Sequence, residues 1–268
     1  TLDGQMSAGY RLNDAIAIGG GINLQYIYGK LTSAMPALTP GGTDGHNSMK
    51  ADDVSLGWNA GVLIRLPHDV RVGLGYRSRI KHELKGDYHW ELGGTIKDFG
   101  VRSPITLPDM LTLGISAPLD TRTKVMISGR YYGWSSFDAL KLHFSTGSSG
   151  RRDFNYRDSW SVSAGLERTV TDRLTVRGGA MFDRTPTNAA FLSTRVPDGD
   201  RTWASGGLSY RFNGHMTLNA SYAHVFIAKQ DLLRTDSFYT PPATMMTTTS
   251  ARSSGNVDML AASVTARF

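Results

Sequence analysis

The chain has 268 residues, a formal net charge of +6 at pH 7 and no cysteine. The lack of cysteine excludes disulfides and thiolate metal sites, and no apolar run is long enough for a transmembrane helix. Arg and Lys are spread along the chain rather than gathered into a patch, so nucleic-acid binding is not expected. No change of composition marks a second domain, and we expect one domain over residues 1–268.

Hydrophobic periodicity predicts β-strands along most of the chain. Within 53–66, for example, Leu56, Trp58 and Ala60 are apolar, and the residues between them are small or polar. A period of two gives a strand one apolar and one polar face, whereas a helical period of 3.6 fits none of these segments. Eleven strands are predicted, over 4–12, 15–30, 53–66, 70–91, 108–119, 123–136, 157–169, 173–185, 201–212, 216–230 and 256–268.

The predicted connections are alternately short and long. Short turns are expected at 13–14, 67–69, 120–123, 171–173 and 213–215, and long polar loops near 31–52, 92–107, 137–156, 186–200 and 231–255. An up-and-down outer-membrane barrel has this alternation, with short periplasmic turns and long external loops. The predicted fold is therefore an all-β, antiparallel, up-and-down transmembrane β-barrel.

The two faces of each predicted strand have different expected surroundings. We expect even-numbered apolar residues such as Leu74, Val162, Leu218 and Val264 to contact acyl chains, and odd-numbered residues to face a central cavity. A soluble β-sandwich or lipocalin-like barrel would instead bury those apolar residues. The predicted strands favour the membrane barrel because many exceed the usual length of about 5–6 residues.

The last predicted strand alternates and ends on the aromatic residue Phe268, which is typical of the closing strand of an outer-membrane barrel. Bacterial single-chain barrels have an even number of strands, because both ends lie in the periplasm. An odd number therefore indicates that at least one strand is missing before Thr1. We expect the chain to be the later portion of a larger barrel, without its first strands.

Several segments, in the same order, resemble the FadL/TodX family of outer-membrane channels for long-chain fatty acids and other hydrophobic molecules. They are Tyr10-Arg-Leu-Asn13, Gly57-Trp-Asn-Ala-Gly-Val62, Tyr76-Arg-Ser78 with Lys85-Gly-Asp-Tyr88, Leu107-Pro-Asp109, Gly133-Trp-Ser-Ser-Phe137, Tyr156-Arg-Asp158, Phe182-Asp-Arg-Thr-Pro186, Pro197-Asp-Gly-Asp-Arg-Thr-Trp203 and Ser221-Tyr-Ala-His224. The resemblance implies a barrel of fourteen strands with an N-terminal plug, of which this chain holds the last eleven strands and lacks the plug.

The same resemblance implies a function and a location. Family members take up hydrophobic molecules, such as long-chain fatty acids or aromatic hydrocarbons, by passive diffusion through the barrel and release them sideways through its wall. The implied location is the bacterial outer membrane, the implied surroundings are outer-membrane lipid and lipopolysaccharide, and we expect a monomer without a cofactor. A general porin, or a structural barrel without a specific ligand, is the alternative.

Arginine is the residue best suited to hold the carboxylate of a fatty acid. The candidates expected to face the lumen are Arg77, Arg79, Arg130, Arg177 and Arg211. Glu167 and Asp183 are expected on the same face, so each arginine could instead belong to the Arg–carboxylate networks that fill such barrels.

Two further arginines, Arg151 and Arg152, precede Tyr156 near the external end. By resemblance, Arg152 matches a basic residue of the family's head-group site. The alternative is a solvated loop charge or a contact with lipopolysaccharide phosphate. Ser33 occupies roughly the place of another basic residue of the family, which leaves room for uncharged ligands.

The segment 197–203 suggests both a loop anchor and an apolar path. Asp198 or Asp200 could pair with Arg201 and hold a loop at the rim. Trp203 and Trp134 could line an apolar path, which the flexible side chains of Met126 and Met181 would make adaptable. An external apolar lip is expected from Phe238, Tyr239, Pro241, Pro242, Met245 and Met246.

No motif for catalysis or metal binding is found. The seven histidines show no metal-ligand spacing, and neither a GxSxG elbow nor a P-loop is present. His82 and His89 are seven apart, which places them on opposite faces of a strand. His224 and Ser263 are likewise expected on opposite sides, which argues against a lipase-like pair, so we predict that the protein is not an enzyme.

Overall fold

The chain forms one antiparallel β-sheet in a computed structural model that describes residues 1–37, 41–192, 198–237 and 246–266. The strands within these residues are β1 (Leu2–Arg11), β2 (Ile16–Met35), β3 (Gly45–Arg65), β4 (Arg71–Arg77), β5 (Ile80–Leu92), β6 (Thr95–Leu107), β7 (Met110–Pro118), β8 (Thr123–Tyr132), β9 (Ala139–Phe144), β10 (Ser149–Asp153), β11 (Ser159–Thr169), β12 (Leu174–Asp183), β13 (Arg201–Arg211), β14 (Met216–Ser237) and β15 (Met246–Ala266). Single 3-10 turns occupy Pro67–Asp69, Trp134–Ser136 and Ala189–Phe191. The described ranges contain no helix with the length and apolar character needed to cross a membrane.

The predicted all-β antiparallel class is confirmed. β4 and β5 are two halves of one strand interrupted at 78–79, and β6 and β7 are two halves of the next, interrupted at 108–109. If each pair is taken as one strand and the β9–β10 hairpin is set aside, the described residues contain the eleven strands that the alternation predicts. Within the same residues, no ladder joins β1 to β15, so the sheet has an open edge along each of them.

Four of the predicted long loops contain strand residues instead, and these predictions are wrong in their bounds. β2 and β3 continue through most of 31–52, and β6 occupies most of 92–107. The β9–β10 hairpin lies within 137–156 and pairs with β6, and β14 and β15 enter 231–255 from both sides. Backbone pairing continues beyond the part of each strand that spans the membrane. Outside that part neither face has to be apolar, so the strand extends further than its hydrophobic alternation. Residues 238–245 and the final residues Arg267 and Phe268 lie outside the described ranges.

The apolar side chains on one face, here called the outer face, are exposed. Leu74 is 44% exposed, Val162 49% and Val264 59%, while Leu218 is half-buried against its neighbours. No sealed interior therefore encloses these four residues, which agrees with a lipid-facing surface. The opposite, inner face is dominated by glycine, serine and charged residues along the same strands.

The prediction that even-numbered residues face outward is wrong for β5, β7 and β8. In β5 the even-numbered Leu84 is buried on the inner face, because the break at 78–79 changes the parity after β4. In β7 and β8 the outward residues are odd-numbered, because Leu113 pairs with Leu74 on one side and Gly129 on the other. For these two strands the break at 108–109 is the cause. It changes the parity between β6 and β7, so that the side chains switch faces while the strand continues.

The short turns lie where the sequence predicts them, and the same device recurs in several of them. The side-chain oxygens of Asn13, Asp120, Thr171 and Asn213 each accept hydrogen bonds from two backbone N–H groups two and three residues further on. Such turns fix the strand ends without help from the rest of the fold. The end of the sheet that carries them is called the short-turn end, and the opposite end the long-connection end.

An enclosed apolar core is found near the long-connection end. Met49, Ala51, Leu84 and Val101 are all at most 3% exposed and pack together on the inner side of β3, β5 and β6. Phe144 from the β9–β10 hairpin packs against them. This part of the sheet therefore buries its inner face in protein, whereas the part nearer the short-turn end leaves its inner face open.

The assignment of faces can be tested at two adjacent residues of β7. Leu113→Arg places a charge on the outer face and is expected to lower the free energy of unfolding in lipid vesicles by about 2–4 kcal/mol. Gly114→Arg is expected to be much milder, since a side chain there points inward and meets open space. Denaturant titration of the two variants provides the measurement, and equal losses would contradict the assignment.

Candidate functional site

The inner face carries a cavity of about 540 Å³ between β8 and β15. Its wall is built from successive rows of side chains that the strand register aligns across the sheet. Neighbouring rows are two residues apart along each strand, which corresponds to about 7 Å. The rows follow one another from the short-turn end toward the long-connection end.

The first row, the glutamate row, consists of Lys124, Glu167 and Arg177 on β8, β11 and β12. Arg177 Nε lies 2.6 Å from Glu167 Oε2, and Lys124 Nζ lies 3.6 Å from the other oxygen. Arg177 also donates to Ser209 Oγ at 2.7 Å. Arg177 is thus held by the wall of the barrel itself, as the alternative of an Arg–carboxylate network predicts.

The next row, the small-residue row, has almost no side-chain volume at its centre. Its members in strand order are Met126, Gly165, Gly179, Ser205, Ala223 and Met259. Short side chains between two methionines leave a trough in the wall. This row supplies much of the cavity, and its flexible thioethers can adapt to ligands of different shape.

The third row, the tryptophan row, is the bulky side of the cavity. Its members are Ser128, Ser163, Met181, Trp203, Val225 and Val257. Trp203, Met181 and Met126 line the cavity, whereas Trp134, the other tryptophan predicted for the apolar path, does not. The indole Nε1 of Trp203 is buried and has no hydrogen-bond acceptor among the described residues.

The fourth row, the arginine row, contains charged residues again and borders the apolar part of the wall. It contains Arg130, Ser161, Asp183 and Arg201. Arg201 donates to Asp183 Oδ2 at 3.0 Å and to Asp198 Oδ1 at 2.6 Å. Arg130 is exposed on the inner face and makes no ion pair with any residue in the described ranges.

Arg201 anchors the connection between β12 and β13. A loop anchor is one of the two roles that the sequence suggests for the segment 197–203. The partner of Arg201 in the loop is Asp198, whose second oxygen accepts from the Thr185 hydroxyl at 2.6 Å. Asp200 has a different task, because its carboxylate accepts from the Thr185 backbone N–H at 2.9 Å. Pro197, the first residue of the motif, lies outside the described ranges.

Two further predicted lumen arginines, Arg77 and Arg211, differ in their surroundings. Arg77 lies on the inner face and pairs with Asp3 of β1. Arg211 lies on the inner face close to the short-turn end and, within the described parts of the chain, makes no ion pair.

Arg79 is the lumen arginine that the sequence misplaces. Its Nε donates to Asp109 Oδ1 at 2.8 Å, and the other oxygen of Asp109 accepts from the outward-facing Tyr76. The chain break at 78–79 places Ile80 inward, so its neighbour Arg79 turns to the outer side. Arg79 therefore bridges the two interrupted strands instead of facing the lumen.

An aromatic cluster lies at the long-connection end, formed by Trp134, Phe137, Phe154 and Tyr156. Ring centroids in this cluster are 5.3–5.9 Å apart, which is the range of attractive aromatic contacts. The guanidinium of Arg152 lies 6.0 Å from the centre of the Phe154 ring. Burial, together with the negative charge of Asp198, raises the pKa of Tyr156.

Two predicted site residues in this region have other surroundings than expected. Trp134 packs against Tyr156 and is not part of the cavity lining. Arg151 donates to Asp153 at 2.6 Å and to Asp138 at 3.4 Å, so two carboxylates already neutralise it. The hydrogen bond from Lys141 lowers the pKa of Asp138, which keeps that carboxylate ionised.

A polar network on the inner face of β1, β2, β3 and β5 was not predicted. The side chain of His82 is fully buried, with Nδ1 2.8 Å from Asp53 and Nε2 3.1 Å from Gln25. Gln25 in turn donates to Asp3 at 3.1 Å. The rule that even-numbered residues face outward would place His82 on the outer face, and the break at 78–79 reverses that rule in β5. The partners of His82 depend on strand register. Ser33 pairs with Asn47 in the extended part of β2.

Comparison with protein families gives a match over the whole chain. Residues 1–268 match the family described as "Outer membrane protein transport protein (OMPP1/FadL/TodX)". Among curated proteins, the long-chain fatty acid transport protein of Escherichia coli K12 is 27% identical over 267 residues, which is 84% of this chain and 60% of that protein. The chain thus spans about 60% of the length of this relative.

Solved structures show the same fold. The crystal structure of a Pseudomonas aeruginosa FadL homologue matches with a TM-score of 0.86 at 23% identity, over 98% of this chain and 66% of the other. The toluene transporter TodX of P. putida matches with a TM-score of 0.71 at 16% identity, over 99% of this chain and 69% of the other.

The anchoring role of Arg201 can be tested by Arg201→Gln. The loss of the guanidinium leaves Asp183 and Asp198 without their partner, and we expect the free energy of unfolding to fall by about 2 kcal/mol, between the values for exposed and buried ion pairs. Amide hydrogen exchange in 184–192 should accelerate. Arg211→Gln, which breaks no ion pair within the described residues, is the control, and equal exchange in the two variants would contradict the anchor.

Proposed function

The chain belongs to the OMPP1/FadL/TodX family of bacterial outer-membrane transport proteins, and from this we propose that it forms the wall of a channel through which hydrophobic molecules cross the outer membrane by passive diffusion. The family is a transport family, not an enzyme family.

The observation that carries the proposal is an apolar band between two charged rows. The small-residue and tryptophan rows lie between the glutamate row and the arginine row on the inner face. A channel for ions and sugars has no need of such a band, whereas a hydrophobic molecule is stabilised there by about 0.8 kcal/mol for each buried methylene group. Met126, Met181 and Trp203 provide that contact surface.

We propose a long-chain carboxylate as the ligand, with Arg130 as its anchor. Arg77, Arg177 and Arg201 are each neutralised by a carboxylate of the protein. Arg130 has no such partner among the described residues and lies one row, about 7 Å, from Ser128 and the tryptophan row. A fatty acid held there by its head group would place its first methylene groups on the tryptophan row. The similarity to long-chain fatty acid transport proteins supports this choice.

An uncharged aromatic hydrocarbon is the second candidate. Arg151 is already paired with two aspartates, and Ser33 stands where the resemblance implies a basic residue, so a charged clamp of two cations is not assembled from these positions. The aromatic cluster at Trp134 and Tyr156 would suit a flat apolar molecule at the entrance.

We further propose that strands outside this chain complete the barrel. β1 and β15 each pair with a single strand of the described sheet, and unpaired backbone groups in lipid cost several kcal/mol each. The resemblance implies three additional strands and an N-terminal plug. The full-length protein is therefore the object on which transport and binding are tested.

The proposed anchor predicts a selective effect of Arg130→Gln. The loss of a charge-assisted hydrogen bond of about 1.5–3 kcal/mol should weaken oleate binding at least tenfold, while toluene binding is unchanged. Tryptophan fluorescence and calorimetry on the full-length protein in detergent provide the measurement. Arg211→Gln is the matched control, since it removes another inner-face arginine that lacks an ion pair within the described residues.

The remaining outcomes separate the candidates. Toluene binding without oleate binding in the unaltered protein would favour the hydrocarbon channel and contradict the carboxylate anchor. An open, salt-dependent conductance without binding of either ligand would contradict the hydrophobic channel and favour a general porin.

A further inference from the structure

We propose that His46, His89 and Glu91 form a binding site for a transition-metal ion on the outer face of the sheet, near the long-connection end. Zn²⁺ is the ion that fits this set of ligands best. The site is independent of the inner-face cavity, because its residues lie on the opposite face and belong to β3 and β5. No sequence motif predicts it.

Strand register brings the three residues together. His46 of β3 lies directly opposite Glu91 of β5, and His89 is two residues before Glu91 on the same face. Ser48 of β3 lies opposite His89, and the ring centroids of His46 and His89 are 5.4 Å apart. Because the ligands come from adjacent strands of a rigid ladder, their separation is set by the backbone and not by a mobile loop.

The three ligand atoms lie close enough together for rotation of the side chains to bring them onto one ion. His46 Nδ1 lies 3.3 Å from Glu91 Oε2, and His89 Nε2 lies 4.0 Å from the same oxygen. The three ligand atoms all lie within 4.8 Å of one another. Bonds of about 2.0–2.2 Å in a tetrahedral zinc site place ligand atoms about 3.3 Å apart. One pair thus has the required spacing already, and rotation of exposed side chains can bring in the third.

A second carboxylate orients one of the imidazoles. His89 Nδ1 lies 2.7 Å from Asp98 Oδ1 of β6, which is the cross-strand neighbour of His89. A carboxylate on Nδ1 holds the proton on that nitrogen and leaves Nε2, the atom nearer Glu91, free to bind a metal. The same carboxylate–histidine–metal arrangement orients ligands in many zinc sites.

The surroundings of Glu91 also favour a cation. Its ion-pair partners within the described residues are the two histidines alone, and no lysine or arginine there neutralises it. The side chains of His46 and Glu91 are 57% and 41% exposed, so an ion can reach the site and keep a water molecule as its fourth ligand.

The donor set selects the kind of ion. Two imidazole nitrogens and one carboxylate oxygen suit Zn²⁺, and also Cu²⁺ and Ni²⁺. Ca²⁺ and Mg²⁺ prefer sites made of oxygen ligands. An ion bound here would connect β3 to β5 and, through Asp98, to β6, and so brace the extension of the sheet beyond the apolar part of the barrel.

The test is metal binding to the full-length protein, purified in detergent without a polyhistidine tag. We expect one Zn²⁺ per chain by calorimetry, no comparable binding of Ca²⁺ or Mg²⁺, and at least tenfold weaker Zn²⁺ binding in His46→Ala and His89→Ala. Asp98→Asn, which removes only the orienting carboxylate, should weaken binding about tenfold. His143→Ala is the control, since His143 is an exposed histidine on the neighbouring strand β9 and lies outside the cluster.

A spectroscopic measurement on the unaltered protein makes the test independent of the variants. Bound Cu²⁺ should show electron paramagnetic resonance couplings to two nitrogen atoms, and to one after His46→Ala. The proposal would be overturned if the unaltered protein bound no Zn²⁺, if His46→Ala and His89→Ala bound it as tightly as His143→Ala does, or if no coupling to two nitrogens appeared.

Discussion

Backbone hydrogen bonding in lipid is the constraint on which the rest of this structure depends. A strand that crosses the membrane must pair all its N–H and C=O groups with neighbouring strands, because lipid offers no substitute. Once the ladders are formed, each strand has only two faces, and register decides which side chains share a row across the sheet. The rows of the inner face and the metal-ligand cluster on the outer face are both consequences of this pairing.

The inner rows show how pairing turns a weak sequence pattern into a site. Gly165, Gly179 and Ser205 have no special meaning one by one, yet side by side they make a trough in the wall. The charged residues Glu167 and Asp183 lie on either side of that trough and are held by Arg177 and Arg201. The apolar band is therefore a product of register, and a change of one residue in the pairing would disperse it.

Much of the fold could be predicted from sequence because it is locally encoded. Alternation identifies the barrel strands, and residues such as Asn13 and Asn213 form their turns with side-chain hydrogen bonds to neighbouring backbone groups. The misplacement of Arg79 has a non-local cause, since a break in a strand changes which residues face inward without altering the hydrophobic pattern on either side. The proximity of His46 and His89 depends on register between strands, which no spacing along the chain reveals.

The central claim is that the inner rows between Arg130 and Glu167 hold a hydrophobic ligand, and a structure of the full-length protein with its native ligand retained tests it most directly. The account predicts elongated density against Met181 and Trp203 on the inner face, with its polar end within hydrogen-bonding distance of Arg130. A trough filled with ordered water, or ligand density found only on the outer face, would contradict it.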